Sequence, residues 1–161
     1  MHILVVRHNS NPQAVDASLL LTAYLTSQGI EALLVDSSSL GTDAGRREVR
    51  AQLPGQLALV VVLGGDGTLN AVLNGMLHRA LRTPITYLPA GTTNDFAQTL
   101  GIQKHLLDPY KSFTETEDRL IDAGKFGDGY FSYVASFGLF TKCSYATPRT
   151  MKRLLGHFAY V

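Results

Sequence analysis

One cysteine, Cys143, stands in a chain of 161 residues. An intrachain disulfide is therefore excluded, which fits a reducing cytoplasm. With no base to pair with it in the sequence, Cys143 reads as a small packed side chain rather than a nucleophile. The five histidines, His2, His8, His78, His105 and His157, show no paired metal-ligand spacing. No apolar run approaches the roughly 20 residues of a spanning helix, and the first residues lead into a strand pattern without the basic and apolar regions of a signal peptide. Lys and Arg are scattered, and the formal net charge is +1, so nothing favours a nucleic-acid partner. No Gly-x-Gly-x-x-Gly follows the first strand, which disfavours a hydride-transfer dehydrogenase. Repeats and low-complexity segments are absent. The expectation is a soluble, cytoplasmic protein.

What is present begins with alternation. Apolar, β-branched runs at residues 3–6, 31–35, 57–63 and 84–88 read as strands, and helical spacing follows them at 15–28, 43–53 and 72–81, with a further helix opening at 94–100. In the 15–28 helix, Leu19, Leu20, Ala23 and Tyr24 are expected to face inward, and Gly29 to stop it. This rhythm implies an α/β fold with a doubly wound parallel sheet and ligands at the C-terminal strand ends. After residue 120 the pattern changes to Tyr-, Phe- and Val-rich stretches at 118–124 and 129–140, read as strands, and then to helical spacing over 150–161. The expected division is a nucleotide-binding α/β domain over residues 1–120 and the first part of a β-rich domain over 121–161.

Two loops carry the chemistry. Gly64-Gly65-Asp66-Gly67-Thr68 follows the most apolar strand and opens a helix. Glycines there permit positive φ and let backbone N–H groups reach an anion, while the helix start adds donors without internal partners and the positive end of its dipole. Asp66 would repel a phosphate, so Mg²⁺ or the orientation of a neighbouring donor explains it better than direct contact. A plain tight turn with Asp66 capping the helix is the alternative. The second loop, Gly91-Thr92-Thr93-Asn94-Asp95-Phe96-Ala97, also follows a strand and opens a helix, with Asn94 or Asp95 able to cap it. In a parallel sheet the two can converge on one crevice.

Together these loops resemble the bacterial diacylglycerol kinases and related lipid kinases. The resemblance runs on through Leu69-Asn70, Asn74-Gly75, Ile121-Asp122 and residues 130–138, and then through Ser144-Tyr145, Thr147-Pro148 and Ala159-Tyr160. Sphingosine kinases, NAD kinases and phosphofructokinases carry versions of the first loop only. The resemblance implies an NAD-kinase- or diacylglycerol-kinase-like fold and ATP phosphates held by Gly64, Gly65, Asp66, Gly67, Thr68, Leu69 and Asn70. It further implies Thr92 against the nucleotide and Mg²⁺ served by Asp66, with Asp95 as a second candidate. The implied reaction moves the ATP γ-phosphoryl to the hydroxyl of diacylglycerol or a similar lipid at the inner membrane face, mostly by positioning and charge neutralisation. A homodimer is a further expectation.

Three departures accompany the resemblance. Ala71 stands where the family usually has Glu, and Asn11-Pro12-Gln13-Ala14 replaces Asn-Pro-x-Ser-Gly. Family members also run to about twice this length, into a β-rich domain that carries the general base. The chain is therefore expected to be incomplete, with no catalytic base of its own and little or no activity alone. A kinase for a soluble acceptor such as NAD and a non-catalytic nucleotide-binding remnant are the alternatives. The aromatic stretch 130–140 reads either as lipid-facing or as an ordinary packed strand; Lys152 and Arg153 read as a solvated helix face or a bilayer contact.

Overall fold

The structure, a computed structural model, describes residues 1–102, 111 and 118–133. Strands β1 (His2–Arg7), β2 (Glu31–Asp36), β3 (Leu59–Gly64) and β4 (Ile85–Pro89) form one parallel sheet in the order β2-β1-β3-β4. Their residues alternate between two apolar layers, as strand geometry requires. Leu4, Val6, Val60, Val62 and Tyr87 pack with Val49 of α2 (Asp43–Gln52), with Leu69, Val72 and Met76 of α3 (Asp66–Leu77), and with Phe96 of α4 (Asp95–Thr99). Ile3, Val5, Val61 and Leu63 instead pack with Ala14, Ala17, Leu21 and Leu25 of α1 (Pro12–Ser27). Both faces of the sheet are thus covered, which is why the strands read as unbroken apolar runs. The doubly wound α/β reading holds.

Helix α1 differs from its expected form at its start and on its inward face. It starts at Pro12 because the Asn11 side chain accepts the N–H groups of Gln13 and Ala14, and because proline's missing N–H costs nothing in a first turn. Its buried stripe is Ala14, Ala17, Ser18, Leu21 and Leu25, while Leu19 and Leu20 are exposed. In the run Leu19-Leu20-Leu21 hydrophobicity alone does not choose a face. The small residues do, since they let the helix lie close on the sheet. Gly29, at φ +71, ends the helix in the left-handed conformation. Helix α3 also stops earlier than its spacing suggests: Ala80 adopts φ +53, and Leu81 is exposed.

After the α/β layers, β5 (Gly124–Phe126) and β6 (Gly129–Phe131) form an antiparallel hairpin. Residues 118–123 are not strand. The ladder begins at Gly124, opposite Phe131, where any Cβ would lie 2.2 Å from the Phe131 ring. The strand expected over 134–140, Cys143 and the helix expected over 150–161 lie outside the described residues. Among the described residues no helix is long and apolar enough to cross a membrane.

The revised inward face of α1 sets a stability expectation. Leu21→Ala should cost about 2–5 kcal/mol in urea denaturation. Leu20→Ala, at a position 60% exposed, should cost less than about 0.5 kcal/mol. Equal losses would return Leu20 to the core.

Candidate functional site

β1 and β3 are neighbours in the sheet, but the chain moves outward from β1 to β2 on one side and from β3 to β4 on the other. Such a switch opens a crevice at the C-terminal strand ends. Three turns meet there. The His8 N–H donates to the Leu63 carbonyl and the Ala90 N–H to the Gly64 carbonyl, each at 2.8 Å. The Asn11 amide donates to the Ala90 carbonyl while its oxygen caps α1. One side chain thus starts a helix and fastens the turn after β1 to the turn after β4.

The two glycine loops touch backbone to backbone. A Cβ added to Gly91 would stand 2.6 Å from the Gly65 Cα, and one added to Gly65 would stand 3.2 Å from the Gly91 Cα. None of Gly64, Gly65, Gly67 and Gly91 has a positive φ, and Gly64, Gly65 and Gly91 serve close approach rather than unusual backbone angles. Gly64 admits the buried Thr68 side chain, whose Oγ1 would lie 2.5 Å from a Cβ there. Gly67 is different: it is exposed, and a Cβ on it would meet nothing within 4 Å.

Asp66 does not cap its own helix. Gly65 is the N-cap of α3 and offers no side-chain acceptor; its carbonyl takes the Thr68 and Leu69 N–H groups, which leaves those of Asp66 and Gly67 without an intrahelical partner. The Asp66 carboxylate reaches instead to the second loop. Its Oδ1 accepts the Tyr87 hydroxyl at 3.1 Å, and its Oδ2 lies 3.5 Å from the Phe96 N–H. Burial, then the charge of Asp66 and the hydrogen bond to it, push the Tyr87 pKa well above its ordinary value, so the phenol is a neutral donor throughout the physiological range. Asn94 precedes α4 in a left-handed conformation, φ +50 and ψ +53, and its side chain caps nothing. Its oxygen accepts the Gly91 N–H and its amide donates to the Gly91 carbonyl, both at 2.7 Å. This closed ring holds Gly91 against Gly65.

The remaining sequence-predicted residues divide by burial. Thr68 and Leu69 are buried, Leu69 within the apolar layer. Any ligand contact they make is therefore through backbone. Asn70 accepts the Asn74 amide on its carbonyl at 2.9 Å. Thr92 and Asp95 are exposed at the mouth of the second loop. Among the described residues no three His, Cys, Asp or Glu side chains converge as a metal cage; a Mg²⁺ bound by one or two carboxylates and substrate phosphates needs none.

Two further residues matter here, one not singled out from sequence and one noted there only within the family motif. Tyr87 is one; its signal is an aromatic with a polar tip, on an otherwise apolar strand, shortly before a glycine loop. Asn74 is the other. Its amide donates to the Tyr130 carbonyl at 2.7 Å and its oxygen accepts the Tyr130 N–H at 2.8 Å, seating the β5–β6 hairpin on α3. The Tyr130 ring meets His78 edge-on, with centroids 5.3 Å apart.

The glycines give opposite expectations. Gly91→Ala forces backbone apart and should cost about 1–3 kcal/mol. Gly67→Ala, with open space and an ordinary φ in a helical turn, should gain about 0.5–1 kcal/mol. Chemical denaturation of the two variants checks the signs; two losses of similar size would show that Gly67 also serves packing.

Comparison with known proteins agrees with this geometry. The sequence pattern of the diacylglycerol kinase catalytic domain matches residues 2–126. Diacylglycerol kinases of Staphylococcus aureus strains JH9 and NCTC 8325 are 36% identical over 102 residues, covering 63% of this chain and 32% of theirs. The chain therefore spans about a third of the length of these curated relatives. A solved structure of a diacylglycerol kinase from Bacillus anthracis str. Sterne superposes with a TM-score of 0.58 at 21% identity, covering 81% of this chain and 45% of that one. The match covers most of the chain, and the chain belongs to the diacylglycerol kinase catalytic domain family.

Proposed function

We propose that this chain supplies the nucleotide-binding part of an ATP-dependent lipid kinase acting on diacylglycerol or a similar lipid. One observation carries the reading: the start of α3 is capped by a glycine without a side-chain acceptor, beside a Gly67 whose missing Cβ serves no packing. A helix start kept bare in this way suits phosphate oxygens, which take the orphan N–H groups and the positive end of the dipole.

In this reading the N–H groups of Asp66 and Gly67 hold the phosphates. The Asp66 carboxylate, with Asp95 as a second acidic group, serves Mg²⁺, whose contribution when bound is to neutralise phosphate charge. The Thr92 hydroxyl lies on the open side of the second loop and meets the nucleotide. The close contact of Gly65 and Gly91 keeps both loops aimed at one crevice. The acceptor is a lipid hydroxyl presented at the membrane surface. Leu120, Ile121, Phe126 and Tyr133, in and beside the hairpin, are exposed apolar side chains available to a lipid. No described side chain is assigned the acceptor's proton.

Thermal shift tests the nucleotide half. At a hundredfold excess over Kd, Mg·ATP should stabilise the protein by about 2.7 kcal/mol, a Tm rise of roughly 5–10 °C. Gly67→Leu should keep or slightly raise the unliganded Tm and lose the rise. A wild-type protein with no response to Mg·ATP would sink the proposal. Transfer to diacylglycerol in vesicles by residues 1–161 alone should stay near background; robust turnover would place the proton acceptor within this chain.

A further inference from the structure

The Asp66 carboxylate is held from outside its own loop. Both of its oxygens face donors that belong to β4 and α4, namely the Tyr87 hydroxyl at 3.1 Å and the Phe96 N–H at 3.5 Å. Tyr87 is itself buried, with its ring packed in the apolar layer between sheet and helices. A phenol in that setting must place its hydrogen on an acceptor, and its choices are Asp66 Oδ1 at 3.1 Å and Asn94 Oδ1 at 3.5 Å. The amide oxygen already accepts the Gly91 N–H at 2.7 Å, and the carboxylate is the stronger, charged acceptor. The hydroxyl therefore points at Asp66.

Phenylalanine would fill the same apolar space without any polar atom to satisfy. The tyrosine hydroxyl adds nothing to the packing of the layer; what it fixes is the direction in which the Asp66 carboxylate presents its remaining lone pairs. Asp66 begins α3 and is only partly buried, so without a donor on its inner side its side chain is free to choose other rotamers.

We propose that Tyr87 is a positioning residue: its buried hydroxyl holds the Asp66 carboxylate in the orientation that serves Mg²⁺ beside the phosphates. The assignment rests on the nucleotide-binding function proposed above and extends it from the loops to the strand beneath them. Tyr87 touches neither phosphate nor metal. Its effect passes through Asp66, so it belongs to the magnesium-dependent part of nucleotide affinity and not to the part supplied by backbone N–H groups.

Calorimetric titration of the 161-residue chain with ATP, once with excess Mg²⁺ and once with chelator, separates the two parts. Tyr87→Phe should weaken Mg·ATP binding by about tenfold, the loss of one hydrogen bond to a charged group, and leave metal-free ATP within about twofold of wild type. In an Asp66→Asn background, the same change should alter Mg·ATP affinity by less than about twofold. Equal weakening with and without magnesium would make Tyr87 a packing residue and overturn the assignment, as would an undiminished effect in the Asp66→Asn background. An unchanged Mg·ATP affinity in Tyr87→Phe, with wild type binding normally, would overturn the Tyr87 role alone. Wild type that binds ATP under neither condition would overturn the nucleotide reading and this one with it.

Discussion

The meeting of two backbones at Gly65 and Gly91 is the constraint on which the rest of the site depends. A Cβ on Gly91 would collide with the Gly65 backbone, and one on Gly65 would crowd Gly91. Once the loops are in contact, the starts of α3 and α4 converge, and Asp66 comes within reach of donors on a different strand and helix. Asn94 makes the contact durable. It accepts the cost of a left-handed backbone, of order 1–3 kcal/mol for a residue other than glycine, and closes its amide on both polar groups of Gly91. The strain sits at a candidate functional site and is offset by two good hydrogen bonds.

The sheet order turns that local contact into a crevice. With β1 and β3 side by side, the turns following β1, β3 and β4 leave the same end of the sheet. Besides the bonds inside each turn, hydrogen bonds also tie the turns to one another and to the neighbouring strand end. Asn11 illustrates the economy of the arrangement. Asn11 both caps α1 and grips Ala90, so one side chain ties the start of α1 to the turn after β4.

Much of this was legible in the residues. Four apolar strands, the helix after each of them and the two glycine loops follow from apolar periodicity and from where glycine interrupts it. Three features did not follow, for separate physical reasons. The inward face of α1 is set by Ala14, Ala17 and Ser18, whose smallness matters for close packing but gives a weak hydrophobic signal beside three consecutive leucines. The loop glycines suggested positive φ, whereas Gly65 and Gly91 let two distant segments touch, and sequence does not say which segments meet. Tyr87 and Asn74 act through partners 21 and 56 positions away, a separation that no local pattern encodes. The roles of Thr92 and Asp95 came from family resemblance; their exposed positions at the loop mouth are compatible with those roles.

Helix α3 has a second consequence, as a ruler. Its first turn faces the crevice, and Asn74, about two turns and roughly 12 Å further along, pairs with the backbone of Tyr130 as a neighbouring strand would. An α-helix is stiff over that length, so the hairpin is set at a fixed distance and angle from that first turn. Length changes in α3 are therefore constrained more tightly than its composition. One inserted residue between Asp66 and Asn74 would turn the asparagine by about 100° around the axis and present a different side chain to the hairpin. Surface positions on the same helix, such as Ala71, are free of that restriction and can vary without disturbing the register between the two ends.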